Sequence, residues 1–483
     1  MARHHQDRSG HDSPVIVWFR EDLRLGDHPA LHDAAATGRP VICVWVLDEK
    51  TGRAPGGAAR WFLAGALESL RDDLAHHDVP LAILSGDAQT LITDLARRCK
   101  AGDVFWNDRV EPDQAAQDDR IEKALEQDDI AVHRSMAMLL RRPGVLKTNG
   151  GKHYQVFGAY WRAAGSAGDP PDPLPAPRKL QGARLPHLDA NIILDPASLR
   201  PSHPDWAGGL AETWEPTEDA ATERLAHFAR HELSDYDGRR DDLAAGGTSR
   251  LSADLRHGLI SPRQVWQATQ STRARASGFL SELGWREFSY DTLARTPDLA
   301  SSNLRDRFDH VKWRRAPAEL KAWQQGRTGV PIVDAAMRQL WQTGWMHNRA
   351  RMIVASFLVK HLLIDWRAGE QWFWDTLVDA DPANNPVNWQ WVAGSGIEAT
   401  PFFRIFNPVL QAGKFDRSGE YVRTFVPEIA KLPDRALQTP WEQPDDVLSR
   451  AGITLDKTYP RPIVDLKGGR ERALEAYKNT EPA

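Results

Sequence analysis

The chain has 483 residues, 26% of them charged, two cysteines and a formal net charge of −5. That length holds two or three domains with sizeable cores; Cys43 and Cys99 support neither a disulfide framework nor a thiolate metal site, and no apolar run reaches membrane-spanning length, so no metal and a reducing cytoplasm are expected; a monomer is the further expectation, which these features do not decide. The charge is unevenly spread: Arg239, Arg240, Arg286, Arg305, Arg307, Lys312, Arg314, Arg315, Arg349 and Arg351 lie in the second half, and Asp72, Asp73, Asp118, Asp119, Asp128 and Asp129 in the first, which leaves room for a basic face on an acidic protein.

In chain order, residues 1–13 are polar, without a signal-peptide core, and are expected to be disordered. Short apolar β-rich runs, VIVWF, VICVWVL, LAIL, DVFW and IAVH, then alternate with helical patterns over 59–76, 88–98 and 112–127. That alternation predicts an α/β architecture, a doubly wound parallel-sheet domain over 14–138. FREDLRLGDHPAL follows the first strand where a dinucleotide site needs GxGxxG, so any ligand of this domain binds in another way. The proline-rich stretch 139–204, with DPPDPLPAP and one short helix around KHYQVFGAYWRAA, reads as an interdomain connector. Residues 205–475 turn helical and stay so, with starts signalled at Thr248 and at Ser261-Pro262, which predicts a larger all-α domain.

Residues 345–404 hold the densest chemistry. Asn348, Arg351 and Met352 fall at i, i+3 and i+4, so a helix there carries an amide, a guanidinium and a thioether on one face, poor as plain core. Asp379 and Asp381 precede Asn384, Asn385 and Pro386; Asn before Pro reads as an N-cap and first helical residue, which predicts a helix from Asn385. Trp389 and Trp391 are about 200° apart on it and face opposite ways, one toward a buried pocket and one toward an open surface. Upstream, TSRLS (248–252) puts hydroxyls and free N–H groups before a short helical run, an anion site if it is not an ordinary cap. Of 19 tryptophans, 12 follow residue 260, more than packing usually uses.

WMHNRARM, DADPANNPVNWQWVAGSG and PFFRIFNP, with TSRLS and GWREF upstream, carry a resemblance to the photolyase and cryptochrome flavoproteins, most closely microbial photolyases that repair cyclobutane pyrimidine dimers. The resemblance runs from about Val15 to about Asp465. It implies that the helical domain binds FAD through Tyr236, Thr248, Ser249, Arg250, Leu251, Ser252, Arg286, Asn348, Arg351, Asp379, Asp381 and Asn385, with Glu282 also matching a flavin-contacting position. Asn385 matches the residue beside the flavin N5, where plant-type signalling cryptochromes tend to carry Asp; a neutral amide does not repel the charge of a reduced flavin. Trp389, Trp366 and Trp313 match a three-indole electron relay, and with Glu282 and Asn385 they form the implied catalytic set.

Glu282, Trp285, Asn348, Met352 and Trp391 match a pocket for a flipped-out dimer, the partner being DNA that contains pyrimidine dimers; Arg240, Arg286 and Arg349 are the further implied DNA contacts. Photolyases for the (6-4) product place histidines near the Asn348 and Met352 region, and the positions after Asn348 read Arg349, Ala350, Arg351, Met352. The first domain of the family often holds an antenna pigment. Glu111 matches a folate-binding glutamate, favouring 5,10-methenyltetrahydrofolate over a deazaflavin, although Ala300 and Ser301 stand where some folate binders have a Cys-Lys pair. The expected activity is light-driven dimer repair by a carbon-carbon lyase; the competing expectations are a cryptochrome-type photoreceptor, a (6-4) photolyase, and a flavin binder without photochemistry.

Overall fold

The computed structural model describes residues 13–270, 276–398, 404–478 and 480; most of the N-terminal segment expected to be disordered, and the first three residues of PFFRIFNP, lie outside them. Five apolar runs form strands, β1 (Val15–Phe19), β2 (Val41–Leu47), β3 (Leu81–Ser85), β4 (Asp103–Asn107) and β5 (Ala131–Ser135). All pairings are parallel, in the order β3-β2-β1-β4-β5. Side chains alternate across the sheet as the pleat requires: Val15, Val17, Phe19, Val41 and Cys43 enter one core, Ile16, Trp18, Ile42 and Val44 the other. Because both faces are covered, β1 and β2 are apolar almost throughout.

Helices α1 (Pro29–Ala36) and α2 (Gly57–Ala75) contribute to the first core, α3 (Ala88–Cys99) and α4 (Pro112–Glu126) to the second. The sequence reading did not mark α1, which has only eight residues; its signals are Pro29 at the first turn and the His28 imidazole, which accepts from the Leu31 N–H at 3.0 Å. The proline-rich stretch carries a helix, α5 (Phe157–Ser166), and returns to the sheet through bridges of Gly182 to Val41 and Ile193 to Leu84. Beyond residue 205 the described residues are helices and loops apart from one bridge, Leu455 to Tyr459. Ser261 caps the Pro262–Ala268 helix in a capping box, as its sequence predicts. Thr248 starts no helix; the nearby helix is Ser252–His257, and no side chain caps it.

The sheet and the helices share one core. Leu251, Phe228, Phe279 and Val378 join Val15 and Phe19 in it. Buried Arg24 donates to the carbonyls of Gly26, Asp27, Ala137 and Gly258, while Glu218 accepts from the N–H groups of Leu25 and Gly26. His257 stacks on Phe62 of α2 with centroids 4.7 Å apart, its Nε2 2.9 Å from the Val378 carbonyl.

Burial pushes the His257 imidazole down from 6.5 to about 3. The unfolded chain therefore takes up a proton below pH 6.5 that the folded protein refuses until about pH 3. Stability from this group is full above that window and falls with pH inside it, by about 1.4 kcal/mol per pH unit. His257→Gln should make the stability less pH-dependent below pH 6.5 by about one proton. Denaturant titrations of both proteins would measure this, and parallel pH profiles would refute it.

Candidate functional site

Two helix starts build the site. The Asn348–Ser356 helix is capped by His347, whose Nδ1 accepts from the Arg349 N–H at 3.1 Å. The Asn384–Ala393 helix has Ala383 at its N-cap, and Asp381 Oδ1, just before it, accepts from the N–H groups of Ala383 at 2.9 Å and Asn384 at 2.6 Å. The expectation that Asn385 is the cap is therefore corrected: the helix starts one residue earlier, the Asp381 carboxylate takes the N–H groups at its start, and the Asn385 side chain is left for other partners. That amide donates through Nδ2 to the Glu370 carbonyl at 3.1 Å and to Glu370 Oε1 at 2.8 Å. On the same helix Trp389 is 2% exposed and Trp391 half-buried, the opposed facing that the two-residue spacing predicts. Gly369 makes room for Trp389, because a Cβ there would strike the indole ring.

These helices, the Ser277–Leu293 helix and the loop before Ser252 enclose a cavity of about 580 Å³. It brings together the whole of Thr248, Ser249, Arg250, Leu251 and Ser252 with Tyr236, Arg286, Asn348, Arg351, Asp379, Asp381 and Asn385. Glu282, Trp285, Arg240, Arg349, Met352, Trp389 and Trp391 line it too. Its lining is ion-paired. Arg351 Nη2 donates to Asp379 Oδ2 at 2.7 Å, and its Nε to the Met346 carbonyl at 2.8 Å. Asp379 Oδ1 and Trp389 Nε1 are buried without a protein partner. An acceptor and a donor left open on lining residues fit a polar heterocycle with its own hydrogen-bonding edge, as a flavin has.

Other predicted contacts are already engaged by the protein. Asp381 Oδ2 accepts from the Tyr290 hydroxyl at 2.9 Å. Arg286 donates to the Met138 carbonyl at 2.6 Å. Arg240 pairs with Glu282 at 2.6 Å, and Arg349 holds Asp241 with both oxygens of the carboxylate, at 2.7 and 2.8 Å. Arg240, Arg349 and Arg351 are thus each paired with a neighbouring acid, Glu282, Asp241 and Asp379. Trp285 lays one face on Phe157, centroids 3.9 Å apart and 14° from parallel. Asn348 is exposed, and Glu282, Trp285, Arg349, Met352 and Trp391 are half-buried, so the cavity grades from buried lining residues such as Asp379, Asp381 and Trp389 to partly exposed ones at its mouth.

Trp366, Trp313 and Glu111 do not line the cavity. Trp366 is fully buried, its Nε1 donating to Asn303 Oδ1 at 3.0 Å, and half-buried Trp313 packs on the core that holds Trp366 and Trp389. The ring neighbours of Trp389 are Phe373 at 5.0 Å and Trp323 at 6.2 Å. Glu111 precedes α4; burial and then Glu21 push its carboxyl up to about 7.

Two polar residues at the site went unread in the sequence. His347 is buried, with burial pushing its imidazole down to about 4 and Nε2 unpartnered, and it does not line the cavity. Glu370 is fixed by contacts that no local pattern signals; an acid inside the aromatic run WRAGEQWFW was the one hint.

Fold and cavity together define a two-part protein, a doubly wound sheet joined to a helical domain with a site large enough for a dinucleotide cofactor. Residues 15–178 match the family pattern described as DNA photolyase, and residues 279–479 that of the FAD binding domain of DNA photolyase. The chain is 47% identical over 470 residues to a deoxyribodipyrimidine photo-lyase of Agrobacterium fabrum, 96% of this chain and 98% of that one. It is 35% identical over 481 residues to cryptochrome-1 of Arabidopsis thaliana, 95% of this chain and 70% of that one. A crystal structure of a bacterial class III photolyase from Agrobacterium tumefaciens matches with a TM-score of 0.94 at 45% identity, covering 99% of both chains. The chain belongs to the DNA photolyase family and carries that family's FAD-binding domain.

Removing one partner of a buried ion pair leaves the other charge uncompensated, at a cost of about 3 kcal/mol or more when burial is complete. Arg351 is partly exposed, so Asp379→Ala should weaken FAD retention by about tenfold to 100-fold. Fluorescence titration of the apoprotein with FAD measures it, and unchanged affinity would remove the pair from cofactor binding.

Proposed function

We propose that the protein is a light-driven lyase that splits cyclobutane pyrimidine dimers in DNA. The observation that carries this reading is one cavity in which the buried Asp379, Asp381 and Trp389 and the Arg351–Asp379 ion pair open to a half-buried aromatic mouth with Asn348 exposed. When bound, reduced FAD supplies the photoexcited electron that opens the cyclobutane ring and receives it back. Arg351 and Asp379 hold the heterocycle, and residues 248–252 with Tyr236, Arg286 and Asp381 complete its binding site. Asn385 presents a neutral amide that tolerates the negative charge of the reduced cofactor.

At the mouth Trp285 and Trp391 stack on the extruded dimer, Glu282 hydrogen-bonds it, and Asn348 and Met352 bound its far side. Arg240 and Arg349 exchange their carboxylate partners for flanking phosphates. Trp389, Trp366 and Trp313 pass electrons from the surface to oxidised flavin; exposure rises from 2% and 0% at the first two to a half-buried third. The division of labour follows the chain: 14–138 carries an antenna pigment of folate type, with Glu111 as its acid, 139–204 connects, and 205–475 holds FAD and DNA.

Illumination of the reduced holoprotein with oligonucleotides carrying either a thymine dimer or a (6-4) product tests the reading. Chromatography should recover intact thymines from the dimer alone. Repair of the (6-4) product instead would assign the other lesion, and repair of neither would favour a photoreceptor.

Stacking a base on an aromatic side chain is worth about 1 to 3 kcal/mol, so Trp285→Ala should weaken binding of dimer-containing DNA by about 5- to 150-fold. Undamaged duplex, held through phosphates, should change little. Equal losses for both DNAs, or loss of FAD, would make Trp285 a packing residue of the Phe157 stack.

A further inference from the structure

Asn385 is held by a residue of another helix that is itself held from the sheet domain. Both contacts of the Asn385 Nδ2 are acceptors, the Glu370 carbonyl and Oε1 of the Glu370 carboxylate. An acceptor pair admits only the nitrogen end of an amide, so Oδ1 is the polar atom that Asn385 has left for the cavity it lines. Glu370 stays in place through Arg53, from the loop between β2 and α2. The guanidinium donates Nη1 to Oε1 at 2.6 Å and Nη2 to Oε2 at 3.0 Å.

That loop is itself clamped on the Trp366–Thr376 helix. The Arg53 guanidinium lies 4.1 Å from the Trp374 ring centroid, and the Trp374 indole donates to the Ala54 carbonyl at 2.9 Å. The Gly57 N–H donates to Asp375 Oδ1 at 2.9 Å, and a Cβ at Gly56 would collide with the Trp374 carbonyl. One carboxylate oxygen, Glu370 Oε1, thus receives a donor from each domain.

The geometry points to Arg53 as a positioning residue that, acting through Glu370, fixes the amide of Asn385 with its oxygen toward the bound flavin. The inference rests on the reading that FAD fills the cavity. Reduced flavin carries a hydrogen on N5, and oxidised flavin has a lone pair there; an acceptor facing N5 favours the reduced form and a donor the oxidised one. Without Arg53, Glu370 loses the two donors that fix both oxygens of its carboxylate. A carboxylate no longer fixed can swing off Nδ2, which leaves the Glu370 carbonyl as the one acceptor on the nitrogen end and lets the amide turn over and present its nitrogen.

The readout is the rate at which chemically reduced holoprotein is re-oxidised in air, dioxygen and one solvent proton converting the anionic reduced flavin to oxidised flavin and hydrogen peroxide. One hydrogen bond to N5–H is worth about a factor of ten, so Arg53→Gln should re-oxidise about tenfold faster at unchanged FAD content. Glu370→Gln, whose own amide can donate to Oδ1, should do the same. Arg53→Lys, which keeps a cationic donor, should restore slow re-oxidation, a rescue that also serves if Arg53→Gln unfolds. Wild-type rates in FAD-loaded Arg53→Gln and Glu370→Gln, even with a lowered melting temperature, would reduce Arg53 to an interdomain clamp and overturn the inference alone. A wild-type protein that purifies without FAD and takes none up would overturn the proposed function with it.

Discussion

Three carboxylates, Glu370, Asp379 and Asp381, are buried within one short stretch, at 2%, 5% and 6% exposure, and the cost of removing them from water organises the site. A buried carboxylate is tolerated only when donors surround it. Asp379 draws the Arg351 guanidinium across the cavity. Asp381 collects two helix-start amides and the Tyr290 hydroxyl, so it fixes both the entry of the Asn384–Ala393 helix and the packing of that helix on Ser277–Leu293. Glu370 collects Arg53 and Asn385. Each acid consumes donors that would otherwise face the cavity, and what remains open there, Asp379 Oδ1, Trp389 Nε1 and the Asn385 oxygen, is the polar edge offered to a ligand.

The sheet domain is more than an appendage to this arrangement. Its β1 and β2 side chains share a core with the helices around the cavity, Arg24 reaches across the seam to the Gly258 carbonyl, and the 53–57 segment reaches the helix that backs Trp389. A chromophore site in the first domain and a flavin site in the second would therefore sit on one mechanically continuous body, which suits energy transfer between fixed partners.

Much of this was legible in the residues. Strands buried on both faces read as continuous apolar runs, so VIVWF and VICVWVL announced a parallel sheet. The two-residue spacing of Trp389 and Trp391 already required opposite facing, and every residue from Thr248 to Ser252 that the resemblance singled out lines the cavity. What escaped has a common physical cause, competition between donors and acceptors distant in sequence. Asn385 before Pro386 has the local form of a cap, yet Asp381 outcompetes it, and the amide is drawn to Glu370 instead. Arg240, Arg349 and Arg351 read as free cations in the sequence, but Glu282, Asp241 and Asp379 lie against them. Helix α1 was hidden by its brevity, since eight residues carry too few turns to show a period.

The central claim is spatial: one cavity holds the flavin among its buried residues and the DNA lesion at its mouth, with Asn385 and the tryptophans lining the same cavity. The measurement that meets it most directly is a crystal structure of the FAD-loaded protein with a duplex containing a thymine dimer. The account predicts the dimer out of the helix between Trp285 and Trp391, Glu282 within hydrogen-bonding distance of it, and the flavin against the Arg351–Asp379 pair. A dimer left stacked in the duplex, or a flavin seated away from that pair, would contradict it.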